Sequence, residues 1–575
     1  MAFSGRSSLL SLIEQLIEVN GGHQVTAGTV RPILVLEGVG GAGRSEVLDH
    51  TWRKWGGRTP TARIDPLAVE GDPHSMREVL AAVMLGLTTE VPDFAVSFPR
   101  VVLANIAMEG PIEGADAAAR RRAMVERING YRDRGAVQRL ITGLFTLGAT
   151  YIPVPGVQDL VPVAAEELTQ RLKWSRLRAK LVWDEPLEWF GHQDQDFRHK
   201  PVDALITLSV QARQERVTVR QDVDHLLLAG LLADLRESLD RTLNRHSNAV
   251  VLLDNGDAPS AREFVRSLVG VRNELRHKGI PDDPLVVITT SGGRSGHAAA
   301  EASRHDPGWS ESELERLGSE EICGRRPAAV RVGLDGLAVE DVQQLARSKR
   351  WPGSLGSSDI AKRIHRLTGG HAEATGLLLN RLEDQPAQVD DLDQVLRSQV
   401  GDREGTLERY LLERVAAELT PRGHIDERLR DDLITIAAAR DQKEARVLAP
   451  LLGDRVNAEL VLFTSTTLWS ARSVRGEAAM MPFVRFLLLR ALADRPVDRL
   501  TGWPKIFRML EERLSDDDLG GRLHHQLALG YVDDVVTVLI ELLPVLPTKK
   551  WLAMLDEAVS TPNLAPPDIP PQPRT

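Results

Sequence analysis

An α/β domain with a five-stranded, mostly parallel sheet is the fold class predicted here, with a helical insertion inside it and helical regions after it. Three observations carry that expectation. Five short aliphatic runs lie at Pro32–Glu37 (PILVLE), Thr61–Asp65 (TARID), Ala249–Asp254 (AVVLLD), Leu285–Thr290 (LVVITT) and Ala329–Gly333 (AVRVG). Helical patterns separate them, and strand alternating with helix builds a layered α/β domain. Roughly 180 residues, most of them helical in pattern, stand between the second run and the third, far beyond an ordinary connection.

The apolar runs are continuous rather than alternating, which predicts strands buried on both faces, as in a parallel sheet. The insertion, about residues 70–245, reads as helices at Ser75–Leu87, Ala117–Phe145, Ala164–Lys180 and Asp224–Arg245. After the third run, Ser260 and Glu263 have capping-box spacing, and Phe264, Leu268, Val271 and Leu275 share one helix face. Beyond Gly333 the β signal fades. Helices are expected at Val339–Arg350, Ser358–Leu382, Thr406–Leu419, Glu427–Arg440, Gln442–Leu452, Pro482–Asp494 and Gly521–Leu546, and Glu459–Thr467 reads as a strand or wing. The Pro-rich end, 563–575 (NLAPPDIPPQPRT), has too little apolar surface to fold and is expected to be disordered.

Composition narrows the functional classes. With 42% hydrophobic and 26% charged residues the 575-residue chain has globular composition, and its length suits three or four domains. A net charge of −10 argues against bulk nucleic-acid binding. The run Arg120-Arg121-Arg122, beside Glu113 and Asp116, reads as a solvated helix face rather than a nucleic-acid patch. The single cysteine, Cys323, excludes a disulfide framework and a Cys-ligated zinc site, and suits a reducing cytoplasm. Leu140–Val163 is the best membrane candidate, but Pro153, Pro155, Asp159 and Pro162 break it, so no membrane is expected. His524-His525 lacks a helix face in common, and no protease or hydrolase elbow motif is present.

The strongest chemical signal is Gly38-Val39-Gly40-Gly41-Ala42-Gly43-Arg44-Ser45, between the first strand and a helical stretch. It is the Gly-x4-Gly-Lys-Ser/Thr phosphate loop with arginine for lysine. Glycines let backbone amides close around phosphate oxygens, and the helix that opens at Glu46 adds its positive end. Arg44 would reach the β- and γ-phosphates and Ser45 would ligate Mg²⁺. Asp254, at the tip of a buried strand, is placed to hold the same metal through water. LVVITTSGGR sets Thr289, Thr290 and Arg294 at the end of another strand, where they could meet a γ-phosphate.

In order along the chain, Phe3-Ser4-Gly5-Arg6, GVGGAGRS, VVLLDN, VVITTSGGR and Leu367-Thr368-Gly369-Gly370-His371 resemble the motif series of STAND ATPases, the signalling P-loop NTPases related to the NB-ARC and NACHT groups. The resemblance covers roughly residues 1–60 and 245–500. It implies a nucleotide-binding domain over 1–335, a helical lid over 336–400, a winged-helix-like domain over 401–500 and a helical, repeat-like region over 501–562. It implies ATP or ADP with Mg²⁺. Phe3, Gly5 and Arg6 would lie against the adenine. Gly38, Gly40, Gly41, Ala42, Gly43, Arg44, Ser45 and Glu46 would surround the phosphates, and His371 would sit in the lid. Arg44, Asp254 and Arg294 would serve catalysis, with Ser45 and Asp254 on the metal.

The departures share a direction. Arg44 replaces lysine, Asn255 stands where many relatives carry a second acid, Ala372 replaces the lid proline, and Met481 replaces a histidine that often senses the β-phosphate. Asp257 is a displaced alternative to the missing acid. Arginine keeps lysine's charge but not its shape. The resemblance therefore implies a cytoplasmic nucleotide-controlled switch with weak or impaired ATPase activity, acting through a protein partner or self-assembly. A steadily turning-over ATPase, a nucleotide-free pseudo-ATPase scaffold and an ATP-dependent transcription regulator are the alternatives.

Overall fold

A computed structural model describes residues 5–19, 32–67, 76–89, 91–131, 134–153, 157–171, 184–193, 200–242, 245–280, 282–293, 309–317, 328–351, 356–385, 391–399, 405–417, 419, 427–453, 456, 458–472, 476–562 and 564. Among these, six strands form one sheet: β1 (Ile33–Glu37), β2 (Thr61–Ile64), β3 (Ala249–Leu253), β4 (Leu285–Ser291), β5 (Trp309–Ser310) and β6 (Ala329–Gly333). Their order is β2-β3-β4-β1-β6-β5, and every pairing is parallel. The five expected strands are present. The sixth, β5, is a two-residue strand too short to leave a periodic signal, and the sheet is wholly rather than mostly parallel.

Strand pleating divides the side chains between two cores. Leu34, Leu36, Val250, Leu252, Val286, Ile288, Val330 and Val332 enter one apolar cluster. Ile33, Val35, Ala62, Ile64, Val251, Leu253, Leu285 and Val287 enter the other. The first side is covered by α1 (Ser7–Ile17) and α2 (Arg44–Trp55) and continues into the C-terminal half. The second carries the insertion: α3 (Met76–Thr88), α4 (Pro99–Met108), α5 (Ala117–Gly130), α6 (Arg134–Ala149), α7 (Val157–Arg171), α8 (Asp184–Phe190), α9 (Pro201–Gln211) and α10 (Val217–Asp240). It also carries α11 (Pro259–His277), through Phe264, Val265 and Leu268.

Beyond the sheet lie α12 (Glu311–Leu317, between β5 and β6), α13 (Val339–Arg347), α14 (Ser357–Thr368), α15 (Ala372–Asp384), α16 (Leu392–Arg397), α17 (Leu407–Ala417), α18 (Glu427–Ile436) and α19 (Gln442–Ala445). A two-stranded hairpin, β7 (Ala471–Arg472) with β8 (Ala478–Ala479), leads into α20 (Pro482–Ala493). Then come α21 (Trp503–Glu512), α22 (Leu519–Ala528), α23 (Val532–Leu542) and α24 (Thr548–Val559). No helix among the described residues is long and apolar enough to cross a membrane.

Several expected elements are corrected. Ala117–Phe145 is two helices rather than one. Ser358–Leu382 is also two, because Gly369 and Gly370 both take positive φ (58° and 79°) and end α14. Gly521–Leu546 divides at Gly530, φ 86°. Ser260 forms no capping box: Ala258 is the N-cap, Pro259 opens α11, and Ser260 is buried in its first turn. Glu459–Thr467 is neither strand nor wing; Ala458–Leu462 is a π-helical turn and the hairpin follows it. Of the Pro-rich end only Leu564 is described.

The glycine pair fixes where α15 starts. A Cβ on Gly370 would lie 2.1 Å from the Leu337 carbonyl oxygen, and the Leu337 N–H donates to Gly370 O at 2.8 Å. Gly370→Ala is expected to destabilise the protein by about 2 kcal/mol or more, through steric clash and strained backbone, read as a lowered midpoint in urea unfolding.

Candidate functional site

The candidate site is the loop between β1 and α2, at the carboxyl edge of the sheet. Gly41 and Gly43 have φ of 81° and 94°, conformations that glycine adopts without steric cost. The Ala42 N–H turns back to Val39 O at 3.0 Å. The first helical bond of α2 runs from Val47 N–H to Gly43 O at 3.1 Å, which leaves the amides of its first turn at the helix's open end.

Three consecutive loop carbonyls face outward, and each is held by a donor from elsewhere. His371 Nε2 donates to Gly40 O at 2.8 Å, Glu373 N–H to Gly41 O at 2.9 Å, and Arg6 Nη2 to Ala42 O at 2.9 Å. With these carbonyls turned out, the Gly41 and Gly43 amides of the same peptide groups turn the other way, as in an anion-binding nest, while the Ala42 amide closes on Val39 O.

The donors come from rigid elements. His371 caps α15: its Nδ1 accepts from Ala374 N–H at 3.2 Å while Nε2 donates to the loop. The neutral ring therefore satisfies both contacts, and burial pushes its pKa below the ordinary value. Phe483 of α20 packs on the imidazole at 5.2 Å. Glu373 accepts from the Tyr410 hydroxyl at 2.7 Å, which joins α15 to α17. Arg6 also binds Asp335 O at 2.7 Å and the Glu311 carboxylate, tying α1 to the ends of β6 and α12.

Inside this frame is a cavity of about 710 Å³. Arg6 and residues Gly41–Glu46 line one side. Leu337, Leu345 and Leu377 line the other, with Lys349, Asn380, Glu383 and Arg414. Lys349 Nζ donates to Asn380 Oδ1 at 2.6 Å and to Glu383 Oε2 at 2.8 Å. The Arg44 stem passes Gly38, where an added Cβ would stand 3.8 Å from its Cδ. The cavity thus has a cationic, amide-rich end and an apolar wall with a polar rim.

Asp254 lies at the end of β3, linked to the cavity by the Ser45 hydroxyl. Its Oδ2 accepts from Arg63 Nη2 at 2.8 Å; its Oδ1 accepts from Thr290 Oγ1 at 2.7 Å and Asn255 N–H at 3.0 Å. Burial opposes ionisation here, but the Arg63 charge and these hydrogen bonds outweigh it and hold the carboxyl below its usual pKa. With four donors on two oxygens its acceptor capacity is filled. Ser45 and Asp254 therefore do not fit a divalent cation without losing partners, and the described residues contain no group of three His, Cys, Asp or Glu side chains able to hold a metal.

One further carboxylate stands beside them: Asp65, at the end of β2, whose pKa is raised by burial and by the nearby Asp254 charge. Asn255, at φ 48°, gives its side-chain amide to Asp65 Oδ1 at 2.7 Å. Asp257 accepts from Gly292 N–H at 2.6 Å and from Ser291 Oγ at 3.1 Å, so it braces the turn after β4 rather than replacing the missing acid. The same turn is held from outside: Thr467 Oγ1 donates to Gly292 O at 2.5 Å and Thr466 N–H to Gly293 O at 3.0 Å.

The expected residues mostly converge. Arg6, Gly41, Ala42, Gly43, Arg44, Ser45 and Glu46 line the cavity. Gly5, Gly38, Gly40, His371 and Asp254 shape it from behind. Phe3 and Arg294 lie outside the described residues. Arg6 is expected against an adenine, yet its guanidinium is spent on the loop carbonyl, Asp335 and Glu311. The sequence reading missed Arg63 and the far wall. Arg63 had a signal: a cation inside a buried strand run demands a partner.

No known protein-family model matches the chain, and no curated protein matches it.

His371 makes the loop contact sensitive to acid. Below about pH 6.5 the unfolded chain takes up a proton that the buried ring resists, so stability falls with pH, by at most about 1.4 kcal/mol per unit from this group. His371→Asn keeps an N-cap acceptor. Between about pH 7.5 and about pH 5.5 the variant is expected to lose less melting temperature than the parent, measured by calorimetry. Equal losses would remove His371 as the cause.

Proposed function

We propose that this chain is an adenine-nucleotide-controlled switch of the STAND type, slow or inactive in hydrolysis, that acts in the cytosol by binding a protein partner or by self-assembly. The observation that carries the reading is the loop at 38–43, its carbonyls capped from outside and its helix end open to a 710 Å³ cavity. That volume suits a small-molecule ligand.

The residues divide the work. The loop amides and the first turn of α2 bind phosphate oxygens, where the helix end favours negative charge. Arg44 adds a fixed cation at the same end. Leu337, Leu345 and Leu377 receive the base, and the Lys349–Asn380–Glu383 group reads the polar edge of the base or the ribose. Mg²⁺ would supply charge neutralisation when bound, but the filled shell of Asp254 argues against a strong site. Asn255 replaces the second acid and its amide is spent on Asp65, so the residue next to Asp254 cannot serve as a base for the attacking water. The bound nucleotide then acts as a state marker more than as a fuel.

Switching follows from what the loop and the β4 turn touch. His371 and Glu373 attach α15 to the loop, Phe483 attaches α20 to His371, and Thr466 and Thr467 attach the segment before the hairpin to the β4 turn. A third phosphate adds charge where these contacts meet. Such a ligand moves the equilibrium only by its differential affinity for the closed and open arrangements.

Calorimetry with ADP tests the site. The parent is expected to bind, and Arg44→Ala to lose about tenfold or more in affinity, about 1.4 kcal/mol. Gly376→Phe, which places a ring in the cavity wall, is expected to abolish binding with the circular dichroism spectrum unchanged. A parent that binds no ADP, and releases none on denaturation, would leave the nucleotide-free scaffold as the better reading.

A further inference from the structure

We propose that Arg63 takes the place of the divalent cation at this site, so that nucleotide is held without Mg²⁺. The proposal rests on the nucleotide reading above and concerns what neutralises the site.

Ser45 and Asp254 occupy the positions from which a hydroxyl and a carboxylate would share a cation. In this chain a guanidinium is already there. Arg63 stands on β2, whose pairing with β3 sets Arg63 opposite Leu252, two residues before Asp254. Strand alternation sends Ala62 and Ile64 to the insertion side and Arg63 to the α2 side. There Nη2 meets Asp254 Oδ2 at 2.8 Å and Nε meets Asp49 Oδ1 at 3.0 Å. Ser45 and Asp49 lie one turn apart on α2, so the chain Ser45–Asp254–Arg63–Asp49 closes a ring between helix and sheet.

The arrangement is built rather than incidental. Both Arg63 and Asp254 are buried, at 7% and 5% exposure. A buried carboxylate needs a positive partner, and beside phosphates it needs one more strongly. In a metal-dependent site that partner arrives with the nucleotide. Here it is covalently part of the sheet and present in every state. A guanidinium is charged at all working pH values and cannot be chelated away. Because Arg63 and Thr290 together consume the carboxylate, a cation would have to displace an ion pair to enter.

The wild-type protein suffices for the test. ADP titrations are run in excess EDTA and in millimolar Mg²⁺, with the affinity compared. The expected result is agreement within about threefold, in contrast to sites where the metal carries the phosphate charge. Loss of binding in EDTA with recovery in Mg²⁺ would overturn the inference and leave the nucleotide reading intact. No binding in either buffer would defeat the nucleotide reading and the inference with it.

A second comparison asks whether Arg63 is the cause. Arg63→Gln strands the Asp254 charge, so it is paired with Arg63→Gln/Asp254→Asn, which removes both charges and preserves shape. The single variant is expected to lose about tenfold in ADP affinity in EDTA, because an uncompensated carboxylate then stands behind Ser45, at the phosphate end of the cavity. It is expected to regain the loss in Mg²⁺ and to show bound Mn²⁺ by electron paramagnetic resonance. The double variant is expected to be indifferent to metal. If the single variant fails to fold, the double variant and the wild-type titrations decide: a double variant that requires Mg²⁺ would refute the role of Arg63.

Discussion

The outward turn of three carbonyls, at Gly40, Gly41 and Ala42, is the constraint on which the site depends. Peptide groups are rigid, so turning the oxygens out turns the Gly41 and Gly43 amides the other way, and the Ala42 amide closes the turn on Val39 O. Left alone, three outward carbonyls would be satisfied by water and the loop would be free to refold. Here they are met by an imidazole, a backbone amide and a guanidinium, from α15 and from the residue before α1. The loop is therefore held in shape by segments more than 300 residues apart in sequence, Arg6 on one side and His371 on the other. The cavity is the space those segments leave.

Much of this was legible beforehand. The main strands announced themselves because a strand buried on both faces needs apolar residues at consecutive positions. The phosphate-loop pattern was legible because a nest needs glycine where φ is positive. What was not legible depended on tertiary position. Lys349, just past the end of α13, and Asn380 and Glu383 of α15 are ordinary polar residues until the two helices are brought side by side. Helix ends at Gly369, Gly370 and Gly530 were overlooked because apolar periodicity continued across them. Ser260 misled because capping-box spacing says nothing of Pro259, whose place at the first helical position shifts the cap by two residues. β5, with two residues, carried too little pattern to read.

Several buried charges among the described residues are paired across elements. Arg100 meets Asp234 between α4 and α10, and Arg272 meets Asp283 between α11 and the approach to β4. In the C-terminal half Arg440 binds Glu444, Asp518 and Glu557, so that α19, α22 and α24 share a single guanidinium. Breaking such a pair from one side leaves a stranded charge and costs about 3–5 kcal/mol. These contacts give the helical regions definite seats relative to one another.

The division of the sheet into two faces has an evolutionary consequence. The helices between β2 and β3 belong almost wholly to the cluster on one side, whereas α2 and the segments that hold the loop belong to the other. A single layer of backbone separates them. Changes of volume or length in the insertion are therefore absorbed without disturbing the loop's carbonyl partners. The β2–β3 connection is an address at which foreign sequence can be accepted, exchanged or enlarged while the chemistry on the opposite face is inherited unaltered. A change of volume on one face and a change on the other are met by different sets of neighbours.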